Sequence, residues 1–199
     1  MFDFDGTLTK PGVLDFFIIR DAIGCPVNMP ILEFIEKMQC PVRKEKAFDI
    51  LNRFETDASV VSEPNSGAED LILYLRAQGL FIGIISRNSL QSIKISLKNF
   101  RNIKYSDFGL IISRDDPVKP KPSGDGILFA AQKFNLPVSK VLVVGDYLFD
   151  IQAGNNAGAV TVLLDDEAAP KKFSAKSDYR IAHLKEVRNI ILRHPLKQG

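Results

Sequence analysis

The sequence predicts an α/β fold: a parallel sheet with helices on both faces, and a small all-helical segment inserted after the first strand. Three observations carry that expectation. Continuous apolar runs such as Leu80-Phe81-Ile82-Gly83-Ile84-Ile85 and Val141-Leu142-Val143-Val144 have the pattern of strands buried on both faces. Amphipathic stretches of helical length stand between them, and this alternation implies right-handed crossovers in a parallel sheet. Residues 13–62 instead read as helical throughout.

The elements follow in order. Met1 and Phe2 form a strand end that runs into Asp3-Phe4-Asp5-Gly6-Thr7-Leu8-Thr9, and Lys10-Pro11-Gly12 breaks the chain. Helices are predicted over Val13–Ile23, Ile31–Met38 and from Pro41 to about Glu55. The third has proline at a favourable first position and Ala47, Ile50, Leu51 and Phe54 as its apolar stripe. Ser62-Glu63-Pro64-Asn65-Ser66-Gly67 ends the segment. A helix over Ala68–Ala77, closed by Gly79, leads to the strand at 80–85. Then come a helix at Ser89–Phe100, a strand at Phe108–Ile112, a helix at Gly126–Phe134 and the strand at Val141–Val144. A helix at Asp150–Asn156, a strand at Ala159–Leu164, a weak edge strand at Tyr179–Ile181 and a closing helix at Leu184–Leu192 complete the chain. Residues 1–12 and 63–199 are thus expected to form the α/β core, and residues 13–62 a helical cap.

Composition narrows the function. With 199 residues, 45% hydrophobic and 25% charged, the chain can bury a proper core. A net charge of +2, with scattered basic residues, gives no mandate for nucleic acid or an anionic membrane. Cys25 and Cys40 form no CxxC pair and are expected as free thiols in a reducing compartment. No apolar run reaches the roughly 20 residues that cross a bilayer, and acids at positions 3 and 5 do not suit a signal peptide. A cytoplasmic protein is expected, acting as a monomer with a dimer as the alternative.

The strand ends carry the chemistry. Alternation puts Asp3 and Asp5 on one side of the chain, and Gly6 lets the backbone bend beside them. The strand ending at Ile85 delivers Ser86-Arg87-Asn88-Ser89 to a helix amino terminus, which offers free N–H groups to an anion. Taken alone, Ser86 or Asn88 reads first as a helix cap. The next strand leads to Lys119-Pro120-Lys121-Pro122, where prolines fix the backbone around a cation, or else a solvated loop. Gly145-Asp146-Tyr147-Leu148-Phe149-Asp150 follows the strand at 141–144, with Asp146 at its tip and Asp150 near a helix start. Clustered carboxylates repel one another unless a cation sits between them, and hard oxygen ligands beside a phosphate describe Mg²⁺.

In this order, DFDGTLT, the Ser86 strand end, Lys119-Pro120-Lys121-Pro122 and GDYLFD resemble the four motifs of the haloacid dehalogenase superfamily. The resemblance covers residue 2 to about 164, and the helical segment resembles the cap of its phosphoglycolate phosphatase-like branch. It implies a Rossmann-like core and a Mg²⁺-dependent phosphomonoester hydrolase acting on a small phosphorylated metabolite. Asp3 would be the nucleophile and Asp5 the acid and base. Ser86, Arg87, Asn88 and Lys119 would hold the phosphoryl group, and Asp3, Asp5, Asp146 and Asp150 the metal. The second acid, Asp5, sets the chain apart from the dehalogenases and favours phosphate chemistry. A sugar-phosphate mutase or phosphotransferase with the same core is the alternative, followed by a catalytically idle binding module.

Arg20, Arg43 and Lys44 are candidates for reaching an anionic substrate tail. His183 and His194 lie remote from every motif and are expected on the surface or in packing. Only Met1 and Phe2 precede Asp3, roughly 7 Å at strand rise, so the first strand is expected to pair little. The sequence is expected to start late, with any targeting segment then missing too.

Overall fold

The computed structural model describes residues 1–165 and 175–193, and it has the predicted α/β architecture. Buried apolar runs form β1 (Gly83–Ile85), β2 (Leu110–Ile112), β3 (Leu142–Gly145), β4 (Val160–Leu164) and β5 (Tyr179–Ile181). All of these pair in parallel, in two ladders ordered β1-β2 and β3-β4-β5. The opening residues join the ladders, because Phe2 bridges Ile84 on one side and Val144 on the other.

Short as it is, this stub is well paired, contrary to expectation. Phe2 N–H donates to the Gly83 carbonyl and Ile85 N–H to the Phe2 carbonyl, each at 2.8 Å. On the other edge Asp3 N–H donates to the Val144 carbonyl at 2.8 Å and Val144 N–H to the Met1 carbonyl at 3.0 Å. The nucleophile candidate therefore hangs from the middle of the sheet.

Strand alternation divides the core. Phe2, Ile84, Val144 and Val162 face one layer, formed by α4 (Ala68–Ala77), α5 (Leu90–Leu97) and α8 (Val187–Arg193). Their neighbours Met1, Ile85 and Val143 face the other, formed by α6 (Asp125–Lys133) and α7 (Leu148–Ala157). The run at 80–85 is only half strand: Phe81 is exposed and stacks on Phe134, with ring centroids 4.8 Å apart.

The helical segment holds α1 (Phe16–Ile23), α2 (Ile31–Glu36) and α3 (Pro41–Val61). Asp15 caps α1, its Oδ1 accepting from Phe17 and Ile18 N–H at 2.9 and 3.1 Å, and Gly24 closes it at φ 69°. Ile19, Ile31, Leu32, Ile35, Ala47 and Leu51 make an apolar cluster of its own. Helix α3 runs past its predicted end to Val61, where it lies along α5. Polar contacts hold that junction: Ser62 Oγ donates to Ser96 Oγ at 2.8 Å, and Asn99 Nδ2 to the Ser59 and Ser62 carbonyls at 2.9 Å. The chain's exit from the segment runs beside its entry, with Lys10 N–H on the Glu63 carbonyl and Asn65 N–H on the Leu8 carbonyl.

Cys25 is buried and Cys40 exposed, both free thiols. His183 is exposed at the start of a 3₁₀ turn, and His194 lies outside the described residues. Among the described residues no helix is long and apolar enough to cross a membrane.

Candidate active site

Two glycines let three acids meet at the carboxyl ends of the strands. Gly6 has φ 82°, and a Cβ there would lie 2.6 Å from Asp146 Oδ2. A Cβ on Gly145 would lie 2.3 Å from the Asp150 Cβ. With both side chains absent, Asp3, Asp146 and Asp150 each bring a carboxylate oxygen within 4.8 Å of the others. Thr7 Oγ1 donates to Asp146 Oδ1 at 3.3 Å, so the turn after Asp5 also touches the third acid.

The cation among these acids is Lys121, not the expected Lys119. Lys121 is 3% exposed, and its Nζ donates to Asp3 Oδ1 at 2.5 Å and to Asp150 Oδ1 at 2.6 Å. Lys119 is exposed and does not line the cavity. The cause lies upstream, where Ser113 N–H and Oγ both donate to Asp116 Oδ2 at 2.8 Å and fold the chain back. Lys119 is left on the outside of this loop, and the chain turns inward two residues later.

Burial and crowding set the charges. The Asp3 carboxyl is pushed well above the usual range by burial and by Asp150 and Asp146, with Lys121 pulling the other way. Burial opposes the charge on Lys121, but Asp150 and Asp3 outweigh it and hold the ammonium above the ordinary lysine range. Asp5 is raised to about 6 by burial, the Asn88 hydrogen bond opposing and the Glu55 charge adding. Three carboxylates, those of Asp3 and Asp150 buried, against one ammonium leave an excess of negative charge. A divalent cation with a preference for hard oxygen would balance it, so the donor set fits a metal. Asp150 has its Oδ1 on Lys121 and its Oδ2 accepting from Tyr147 N–H at 3.0 Å. It is thereby fixed as the group that orients the lysine.

The strand end at Ser86 does more than cap a helix. Ser86 is buried and its Oγ accepts from Asn88 N–H at 3.2 Å, while Ser89 is the residue that caps α5. Asn88 Nδ2 donates to Asp5 Oδ2 at 2.5 Å, and Thr9 Oγ1 to Asp5 Oδ1 at 3.4 Å, so both sides of the second acid are held. Arg87 turns away to the helical segment. It forms a bidentate pair with Glu33 of α2 at 2.9 and 2.6 Å, donates to the Lys121 carbonyl, and lies 4.8 Å over the Phe149 ring. Arg87 is thus a bridge between α2 and the strand ends.

Sequence reasoning missed Glu33, Glu55, Arg114 and Lys121. Glu55 of α3 is 3% exposed and accepts from Ser89 N–H at 3.1 Å and from Arg114 at 2.5 and 3.0 Å. Its position was a usable signal, because it continues the Ala47, Leu51 stripe at the next i+4 step. A charge on a buried stripe implies a partner.

The acids form the floor of a cavity of about 530 Å³ whose walls come largely from the helical segment. Arg20 lines it, with its Nη1 donating to the Pro26 and Met29 carbonyls at 2.8 and 2.5 Å. Arg43 and Lys44 do not line it, and Lys44 pairs with Glu36.

Residues 10–164 match the family model described as haloacid dehalogenase-like hydrolase. An uncharacterized hydrolase of Saccharomyces cerevisiae is 34% identical over 166 residues, covering 82% of this chain and 75% of its own. An N-acetylmuramic acid 6-phosphate phosphatase of Pseudomonas aeruginosa is 24% identical over 183 residues, covering 81% of this chain and 78% of its own. The crystal structure of a hydrolase from Pseudomonas syringae matches the fold with a TM-score of 0.79 at 21% identity, over 96% of each chain. This protein belongs to the haloacid dehalogenase-like hydrolase family.

Proposed function

We propose that the protein is a Mg²⁺-dependent phosphomonoester hydrolase that works through an aspartyl-phosphate. The observation that carries this reading is the pairing of Asp3 with Lys121 at the cavity floor, beside Asp5 held by Asn88 and Thr9. A buried nucleophilic carboxylate with a proton carrier two residues away is what a two-step phosphoryl transfer needs.

In the first step an Asp3 oxygen forms a bond to phosphorus as the bond from phosphorus to the leaving oxygen breaks. Asp5 gives its proton to that oxygen, and the alcohol departs. In the second step Asp5 takes a proton from water, whose oxygen attacks phosphorus and frees Asp3 and inorganic phosphate. Burial favours the protonated form of Asp5 that the first step requires. Lys121 and the Ser86 hydroxyl would offset charge on the phosphoryl oxygens, with Asp150 bonded to Lys121 supporting that role. Asp3 and Asp146, with the Asp5 carbonyl and Asp150 adjoining, would hold the metal, which when bound supplies charge neutralisation for the phosphoryl group.

The test is phosphate release from a panel of phosphate monoesters with Mg²⁺. Asp3→Asn keeps the side chain's shape and should lower turnover by on the order of a thousandfold or more, while the circular dichroism spectrum stays native. A variant that still turns over within tenfold of the parent would overturn the nucleophile assignment.

A further inference from the structure

We infer that the leaving group this site accepts is apolar and uncharged: the substrates are phosphate monoesters of hydrophobic alcohols, without a second anionic group. The inference rests on the hydrolase reading above and narrows its substrate class.

The apolar part of the cavity lining includes Leu14, Phe16, Val27, Met29, Leu32 and Leu51, all of the helical segment. Leu32 and Leu51 belong to the helical segment's own apolar cluster, so the wall is a continuation of that core. Phe16 and Val27 stand 57% and 82% exposed at the mouth, where solvent alone would disfavour them.

A second anionic group would need a cation, and among the described residues three of the four cations that line the cavity are already paired with acids. Lys10 pairs with Glu63, whereas Arg20 pairs with no acid among the described residues and donates through Nη1 to two carbonyls. Arg87 has both terminal nitrogens on Glu33, and Lys121 serves Asp3 and Asp150. The wall itself contributes an acid, Glu55, already fully matched by Arg114. A carboxylate or second phosphate entering here would lose its hydration and, Arg20 apart, gain no unpaired cation, a costly exchange.

A hydroxyl-rich leaving group would find few partners beyond Asn28 and the Ser96 O–H. Of the hydroxyls on that wall, Ser59 donates to the Thr56 carbonyl at 2.6 Å and Ser96 accepts from Ser62 at 2.8 Å. Apolar groups, by contrast, gain by leaving water in proportion to the surface they bury. The cavity volume of about 530 Å³ leaves room for a side chain well beyond the phosphate.

The experiment uses the full chain and a homologous series of n-alkyl phosphates from ethyl to hexyl, whose leaving oxygens have nearly equal basicity. With Mg²⁺ present, kcat/KM should rise about three- to fourfold per added methylene until the chain fills the cavity. An ω-carboxyalkyl phosphate of equal length should fall at least about tenfold below its alkyl counterpart. Phe16→Lys, at an exposed position outside the core, should narrow that gap by supplying a cation at the mouth. A flat alkyl series, or a carboxyalkyl ester that outruns its isostere, overturns the inference while phosphate release keeps the hydrolase reading intact. Silence across the series and towards acetyl phosphate as well overturns the hydrolase reading, and this inference with it.

Discussion

The floor and the wall of the cavity are built on opposite physical plans. The floor comes from strand ends, where one-residue spacings fix each polar group: Asp3 leaves the sheet between β1 and β3, and Ser86 and Asp146 follow their tips. The wall comes from helices that share an apolar cluster of their own and present apolar side chains inward, with α3 also lying along α5. Chemistry therefore sits on the rigid part, where neighbouring strands hold each position from both sides. The wall is tied to the core through side chains, among them the Arg87–Glu33 and Arg114–Glu55 pairs. The difference teaches that the reaction and the substrate answer to different elements, and can be perturbed separately.

The largest effect that would break this division lies on the floor. Lys121→Met removes the ammonium between Asp3 and Asp150 and leaves two buried carboxylates without it. Turnover should fall by on the order of a hundred- to a thousandfold, while Lys119→Met, at an exposed position, should change it less than twofold. Steady-state kinetics of the two variants decide the matter. The reverse order would return the catalytic role to Lys119.

That pair also marks where the sequence stops being legible. Ser86 and the 145–150 turn could be placed because each follows a continuous apolar run whose end is visible in the pattern, and the opening acids because they stand two residues apart just before Gly6. Lys119-Pro120-Lys121-Pro122 offers two lysines in the same local setting, each before a proline that keeps it extended. Only the loop's fold, set by Ser113 and Asp116, decides which one turns inward. Counting back from α6 would have helped, since Lys121 lies four residues before its first residue and Lys119 six. Glu33 and Arg87 were hidden for another reason: their contact spans 54 residues, and each alone looks like a solvated charge. The layers of the fold were readable because strand alternation is local, whereas the pairing of charges across the cavity is not.

A middle-sized test asks whether the wall is a unit apart. Ile84 and Ile35 are both fully buried, one in β1 and one in α2. Replacing either with alanine should cost about 2–5 kcal/mol where it acts. Ile84→Ala should lower protection of sheet amides and of the whole molecule. Ile35→Ala should accelerate amide hydrogen exchange across α1 to α3 and leave β1 and β3 nearly as before. Equal acceleration in both regions would show that floor and wall unfold as one, and the separation drawn above would fail.

The smallest effect probes the bridge between the two. Burial opposes the charge on Glu33, but Arg87 outweighs it and holds the carboxyl below its ordinary value of 4.5. A group whose value is lowered by folding contributes stability above its unfolded value and loses it as pH falls through the folded one. The Arg87–Glu33 pair is partly exposed, at 18% and 34%, so its contribution should be modest, about 0.5–1 kcal/mol. Glu33→Gln should accordingly lower Tm by about 1–4 °C at neutral pH. The gap between parent and variant should hold steady down to about pH 5 and close below 4.5 as Glu33 itself becomes protonated. The other titrating acids are common to both proteins, so the difference between their melting curves isolates this one pair. A gap that persists unchanged to pH 3 would show that Glu33 joins wall to floor by shape rather than by charge.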